Sequence, residues 1–287
     1  MRAATKYLTL ALVACRGSAP TPAAPVPAAS SAAPVVAVVA VEAGAPVDET
    51  VPGPVSCLAR YYGGTPRHDA AGWVLALDSG VVVPLHDGIA SKTAWQRFDA
   101  PDVADVFEQR YPTGPIAPVT EVDFDPGRNR IDPLFFATFG ATAAAVQKAL
   151  TVVMLAGKGV AVHAKVAGPL RRVATRVDAL LRKDPSLGQF FHALGGTFNW
   201  RAIAGSDRLS MHSWAIAIDL DVGTSFYWRN EVGHGRSLQW KNRLPQAIVD
   251  AFEAEGFIWG GRWYHYDTMH FEYRPELLDP SCYPLIR

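Results

Sequence analysis

The chain has 287 residues, enough to bury a sizeable core in one or two domains. Its 27 basic and 27 acidic side chains cancel, so no net field draws it to nucleic acid or to an anionic membrane face, and no nucleic-acid partner is expected. No apolar run approaches the roughly 20 residues of a membrane-spanning helix.

At the start of the chain, Arg2 and Lys6 precede a short apolar run from Tyr7 that closes on Leu12-Val13-Ala14-Cys15. That is the layout of a bacterial lipoprotein signal. On this reading residues 1–15 are the signal peptide and Cys15 is lipidated. The protein is then exported, held to a bacterial membrane by a lipid anchor only, and faces the periplasm or cell wall; an ordinary signal peptide cut elsewhere is the alternative. Residues 16–54, mostly Ala, Pro, Val and Ser with few charges, suit an extended tether. The Val-rich run at 35–44 is read as part of it because prolines flank it. With Cys15 assigned, Cys57 and Cys282 remain, one near each end of the folded part, and an oxidising compartment favours a disulfide between them.

The folded part begins near Val55, with residues 55–120 as its N-terminal portion and 121–287 as the portion that carries the chemistry. Two apolar runs around Asp78-Ser79-Gly80 predict a β-hairpin over 72–85. Asp102 to Arg110 reads as a short helix, Asp125-Pro126-Gly127-Arg128 as a turn, and Asp132-Pro133 as an N-cap with Pro at the first helical position. Val146, Leu150, Val153 and Met154 fall at helical spacing, so a helix is expected over 141–156, stopping at Gly157. A short strand at 160–163 leads into a helix over 169–182 with a stripe of Leu170, Val173, Val177, Leu180 and Leu181. Pro245 opens another helix, Gly256 stops it, and Phe257-Ile258-Trp259 enters the last sheet. Helices precede and separate short strands without regular βαβ alternation, which gives an α+β fold.

Two stretches carry chemistry. Residues 210–219, SMHSWAIAID, offer His212 and Asp219, with Ala215, Ala217 and Asp219 alternating as on a strand. Residues 260–272, GGRWYHYDTMHFE, offer Asp267 and His270. Taken singly, such a His is more often a hydrogen-bonded core residue and such an Asp more often a turn cap. Together, two imidazoles and a carboxylate make the ligand set of a catalytic zinc with a fourth position for water, and a further carboxylate three residues before a ligand is placed to move protons.

The pattern Ser210-x-His212-x-x-x-x-Ala217-x-Asp219, followed by Gly260-Gly261-x-Trp263 and Asp267-x-Met269-His270-Phe271-Glu272, resembles the zinc D-alanyl-D-alanine carboxypeptidase family, which takes in VanY- and VanX-like enzymes and the L-alanyl-D-glutamate endopeptidases of phage endolysins. The resemblance runs from about Glu121 to Leu277 and makes 121–287 a zinc peptidase domain. It implies a small antiparallel sheet carrying the zinc site, flanked by helices, as in hedgehog domains. It also implies one Zn2+ on His212, Asp219 and His270, with Asp267 as general base. Arg201, in the run FNWRAIAGS, matches an arginine near the substrate and the developing oxyanion; the alternative is a surface ion pair. Phe198 and Trp200 flank it and are expected to shield it from water. Ser210 matches a serine that hydrogen-bonds substrate, with a turn residue as the alternative. Glu272 is a weaker rival to Asp267 that the family pattern puts behind the ligands.

One departure stands out: Ala215 occupies a place where the family usually has Gly, so φ > 0 is disfavoured there and the substrate is expected to be crowded. His265, Tyr264 and Tyr266 sit beside the site in sequence, and the stretch 222–241 is long enough to wall a cleft. The expected function is a zinc metallopeptidase acting on peptidoglycan stem peptides, a D-alanyl-D-alanine carboxypeptidase in the first place. The alternatives are an endopeptidase of the same family or a peptidoglycan-binding module whose chemistry has lapsed.

Overall fold

A computed structural model describes residues 50–203, 205–232 and 238–283. The proposed signal, Cys15 and nearly all of the tether lie outside the described residues. The chain opens with α1 (Gly53–Tyr62), followed by a three-stranded antiparallel sheet of β1 (Thr65–Asp69), β2 (Gly72–Ala76) and β3 (Val82–Pro84). The hairpin expected over 72–85 is β2–β3. Two short helices follow, α2 (Ala94–Asp99) and α3 (Val103–Glu108), and both carry a capping box, Thr93 with Gln96 and Asp102 with Asp105. Buried Val55, Cys57 and Leu58 of α1 join the main hydrophobic core. Cys57 is disulfide-bonded to Cys282, with Cα atoms 5.1 Å apart.

α4 (Asp132–Phe139) starts one residue earlier than the sequence suggests. Ile131 is the cap, and Asp132 lies inside the first turn with its carboxylate on Arg130 and Arg208 rather than on its own backbone. The helix expected over 141–156 is a correction. Only α5 (Ala143–Lys148) is helical, and β4 (Leu150–Leu155) turns back through Ala156 and Gly157 into β5 (Lys158–His163). The apolar spacing fits a helix, but Thr151, Val152 and Val153 are β-branched, and burial alternates with period two. Val153 and Leu155 are buried, whereas Val152 and Met154 are exposed. Both turn residues have positive φ, 48° and 75°, as a tight two-residue hairpin turn requires.

α6 (Ala164–Lys183) begins five residues before Pro169, because His163 Nδ1 accepts the Lys165 N–H as an N-cap. Its stripe of Val166, Leu170, Val173 and Val177 is buried. The remaining elements are β6 (Leu194–Gly196), β7 (Ala217–Asp221), α7 (Arg229–Val232), α8 (Gln246–Glu253), β8 (Phe257–Trp259), β9 (His270–Tyr273) and α9 (Pro275–Leu278). β6, β7, β9 and β8 form, in that order, a four-stranded antiparallel sheet. The fold is α+β. Among the described residues no helix is long and apolar enough to cross a membrane.

The register of this sheet positions the site. Asp219 of β7 pairs with His270 of β9, and Ala217 pairs with Glu272. Side chains alternate across a strand, so all four share one face, and Ile218 and Leu220 go to the core on the other. Gly196 of β6 lies opposite Asp219. A methyl group on neighbouring Gly195 would stand 2.8 Å from the Asp219 Cβ, so the small residue makes room for the carboxylate.

Candidate metal centre and its cleft

His212 reaches the sheet from a 3-10 turn, Met211–Trp214, capped by Ser210, whose Oγ accepts the His212 N–H at 3.4 Å. Arg208 and Arg130 brace the approach to this turn. Arg208 donates to Asp132 and to the carbonyls of Phe98 and Arg130, and Arg130 donates to the Leu209 carbonyl. Buried Trp214 anchors the far end by donating to the Gly140 carbonyl at 3.2 Å.

Three atoms then converge. His212 Nε2 lies 3.2 Å from Asp219 Oδ1 and 3.3 Å from His270 Nδ1, and His270 Nδ1 lies 2.9 Å from Asp219 Oδ1. Ligand atoms about 2.0–2.1 Å from a tetrahedral zinc stand about 3.3 Å apart, so this triangle fits such an ion. The opposite ring nitrogens make the same point. His212 Nδ1 donates to the Thr197 carbonyl at 3.2 Å, and His270 Nε2 faces Glu272 Oε2 at 3.1 Å. A carbonyl and a carboxylate only accept, so each ring, when neutral, keeps its proton on the outer nitrogen and turns a lone pair toward the cluster.

The electrostatics follow from this packing. Without a metal, burial disfavours a charged His270, but its contacts with Asp219 and Glu272 outweigh that and raise its pKa to about 10. Burial raises Asp219, yet its hydrogen bonds to His212 and His270 win and hold the carboxyl well below the usual range. Glu272 is likewise raised by burial but brought down to about 2 by His270 and, further out, Arg274. Arg274 continues the buried chain, donating to Glu276 at 2.5 Å, and Glu276 accepts from Tyr62 of α1 at 2.9 Å. Glu272 is therefore a positioning group for His270, occupied on both sides.

Asp267 differs. Its Oδ1 is buried and has no hydrogen-bond partner among the described residues. Burial raises its pKa, His270 partly opposes this, and with Asp219 adding to the rise the result is about 6. Gly260 gives it space, since a methyl group there would meet the Asp267 carbonyl at 2.6 Å.

One cleft is lined by His212, Asp219, Asp267 and His270 together with Ser210 and Arg201. All the site residues expected from the sequence, apart from the cysteines, thus line a single concavity. Ser210 both caps its turn and borders the cleft. Arg201 is exposed, with only a 3.5 Å contact to the Ala202 carbonyl, so Phe198 and Trp200 do not shield it; they pack on the core instead. Ala215 adopts φ 54° and ψ 36° and is fully buried, and it borders the apolar side with Val162 and Leu170 rather than the cleft. It bears the left-handed strain expected of it, but it crowds no substrate. His265 pairs with Asp125 at 2.6 Å and meets the Trp228 ring edge-on, apart from the ligand triangle. Tyr266 donates to the Gln239 carbonyl. Of the stretch 222–241, Tyr227 reaches the cleft and bridges to Asp267.

Sequence reasoning misses Phe98, Arg128, Arg130 and Trp263 as cleft residues. Phe98 comes from the N-terminal portion, where no motif marks it. Arg128 and Arg130 follow a Pro-Gly turn whose partners are some 140 residues away in the chain, a distance no local pattern spans.

Fold and donor set together define the class: an α+β protein with a His2Asp cluster suited to a single tetrahedral metal, open to a cleft that contains a free buried carboxylate. Residues 204–273 match the family model described as D-alanyl-D-alanine carboxypeptidase. The match includes His212, Asp219, Asp267 and His270 and supports a peptidase of the zinc D,D-carboxypeptidase family. Among curated proteins none matches.

Proposed function

We propose that this protein is a zinc metallopeptidase that cleaves peptidoglycan stem peptides as a D-alanyl-D-alanine carboxypeptidase, exported and lipid-anchored through Cys15. The observation that carries this reading is the 2.9–3.3 Å ligand triangle with an unpaired buried carboxylate oxygen in the same cleft. His212 Nε2, Asp219 Oδ1 and His270 Nδ1 would hold the ion. A zinc bound there supplies a water acidified to a pKa of about 7 and a polarised scissile carbonyl.

Asp267 Oδ1, in the same cleft, would serve as the base that accepts a proton and returns it to the leaving amine. A carboxylate near pKa 6 is mostly ionised at neutral pH, yet still basic enough for the transfer. The Asp267 carboxylate would be favoured by a dication held there, as it is by the charged His270 whose proton the ion would replace. Glu272 and Thr197 keep both imidazoles in the tautomer that faces the cluster. Arg201, at the exposed rim, presents a guanidinium to the developing oxyanion or to a substrate carboxylate. Ala215, the departure from the family pattern, borders the apolar side and not the cleft, so it lends no support to a lapsed binding module.

The test is to incubate purified protein with a stem pentapeptide, with and without chelator, and weigh the products. Chelator-sensitive release of a single terminal alanine is expected. An intact peptide at full metal loading would sink the peptidase reading, and internal cleavage would move it to an endopeptidase.

A further inference from the structure

Three arginines line the cleft, and they are held differently. Arg130 is committed to Asp132 and to the Leu209 carbonyl. Arg201 is exposed and barely tethered. Arg128 lies face-on over the Trp263 ring, 4.6 Å from its centroid, and Trp263 in turn packs on the His270 ring at 5.8 Å. Its Nη2 donates to the His265 carbonyl at 3.2 Å, and its Nε is buried with no partner among the described residues.

The backbone that carries Arg128 is pinned from four sides. Trp263 Nε1 donates to the Pro126 carbonyl at 2.7 Å, Arg274 donates to the Gly127 carbonyl at 2.7 Å, and the His265 N–H reaches Asp125 Oδ1 at 2.9 Å. Gly127, at φ 95°, sits so close to Ile258 and Leu277 that a methyl group there would stand 2.7 Å from the Ile258 Cδ1. A guanidinium fixed this firmly loses little entropy on binding, and an unpaired buried N–H gains the most from an arriving anion. Its planar fork matches a carboxylate.

We infer that Arg128 is the specificity-determining residue that receives a carboxylate of the peptide substrate beside the metal cluster, leaving Arg201 to the oxyanion. The inference rests on the peptidase reading, because the anion it names is a peptide carboxylate. Chloride or phosphate would satisfy the charge but would not reproduce a preference between two peptides that differ only at their ends.

The experiment uses the full chain carrying Asp267→Asn and loaded with zinc, so that turnover is slowed enough for peptide binding to be read. Calorimetry compares a stem pentapeptide ending in a free carboxylate with its C-terminal amide. The free acid should bind about ten- to hundredfold more tightly, the range of one charge-assisted hydrogen-bonded pair. Adding Arg128→Gln should erase that preference, and Arg128→Lys should restore only part of it, since a point charge lacks the fork. Arg128→Met keeps the apolar stem on Trp263 and gives the same reading if the Gln variant melts early. Peptide binding with an acid preference that survives loss of the Arg128 charge, or that vanishes only in Arg201→Ala, overturns the inference and leaves the peptidase reading standing. Failure of both peptides to bind overturns the two together.

Discussion

The two sides of the cleft are built to opposite specifications. On the sheet side the ligand residues and their support are engaged: His212 by Thr197 and the cluster, His270 by Glu272 and the cluster, Asp219 by both imidazoles, and Glu272, behind the ligands, by His270 and Arg274. On the facing side, Asp267 Oδ1 and Arg128 Nε are buried without partners among the described residues. A buried polar atom left unpaired costs roughly 1–3 kcal/mol, and folded proteins rarely tolerate it without a reason. The difference separates two jobs. A saturated network holds one fixed ion in one geometry, whereas an unsaturated wall stores hydrogen-bonding capacity for a molecule that comes and goes.

The strongest break is on the saturated side. Replacing both imidazoles, His212→Ala with His270→Ala, removes two of three ligands, and metal analysis should find no stoichiometric zinc. Full occupancy in the double variant would sink the ligand assignment. On the unsaturated side, Asp267→Asn keeps the shape and removes the base. It should lower turnover by about 10²–10⁴-fold with zinc content unchanged. In the parent enzyme, turnover should rise with pH as Asp267 loses its proton, at or below about 6 because a bound dication would stabilise the carboxylate, and this limb should vanish in the variant. Loss of zinc from Asp267→Asn would place that carboxylate among the ligands instead.

A smaller effect tests the support behind the ligands. Glu272→Gln leaves the ligand atoms in place but weakens the hold on His270, and such changes typically cost 10–100-fold in metal affinity. Turnover at saturating zinc should stay far above that of Asp267→Asn. A Glu272→Gln protein that holds zinc normally and is inactive would transfer the base role to Glu272. The same network sets the pH dependence of metal uptake. A proton on His270 must leave before Nδ1 can ligate, and its pKa of about 10 means that zinc competes with that proton across the whole neutral range. Apparent affinity should fall by about tenfold for each unit of pH lowered from 9 to 7, a range in which an unshifted histidine of pKa about 6.5 would show almost no slope.

How much of this was legible beforehand follows the same division. The ligand side was readable, because His212, Asp219 and His270 sit in two short segments and strand alternation puts Asp219 on a fixed face. Asp267 was readable too, from its place beside a ligand. Glu272 could be set behind His270, but its tie through Arg274 and Glu276 to Tyr62 joins distant parts of the chain and leaves no local trace. The free wall was only half readable. Arg128 was seen as part of a turn, since its role depends on Trp263 and His265 folding back over it. Within the fold, the hairpin at 150–163 is hidden from the apolar spacing, because Val146, Leu150, Val153 and Met154 fall at helical intervals while only Val153 of the last two faces the core. β-Branching and the Ala156-Gly157 turn decided in favour of the strand.

The smallest expected effect concerns Ala215, the residue that separates this sequence from the family pattern. Its left-handed backbone costs an alanine roughly 1–2 kcal/mol, which a glycine would recover. The same substitution removes a buried methyl group worth about 0.8 kcal/mol and adds roughly 0.5–1 kcal/mol of unfolded-chain entropy. These terms nearly cancel, so Ala215→Gly should change stability by less than about 1 kcal/mol in denaturant unfolding. Activity should be unaltered, because the methyl points to Val162 and Leu170 and not to the cleft. Ala215→Val should be clearly destabilised, since a β-branched residue is least tolerant of positive φ in a site with no free surface. A Gly variant with severalfold faster turnover would show that the strain at the end of the 211–214 turn reaches His212, and the ligand side could no longer be regarded as independent of the backbone behind it.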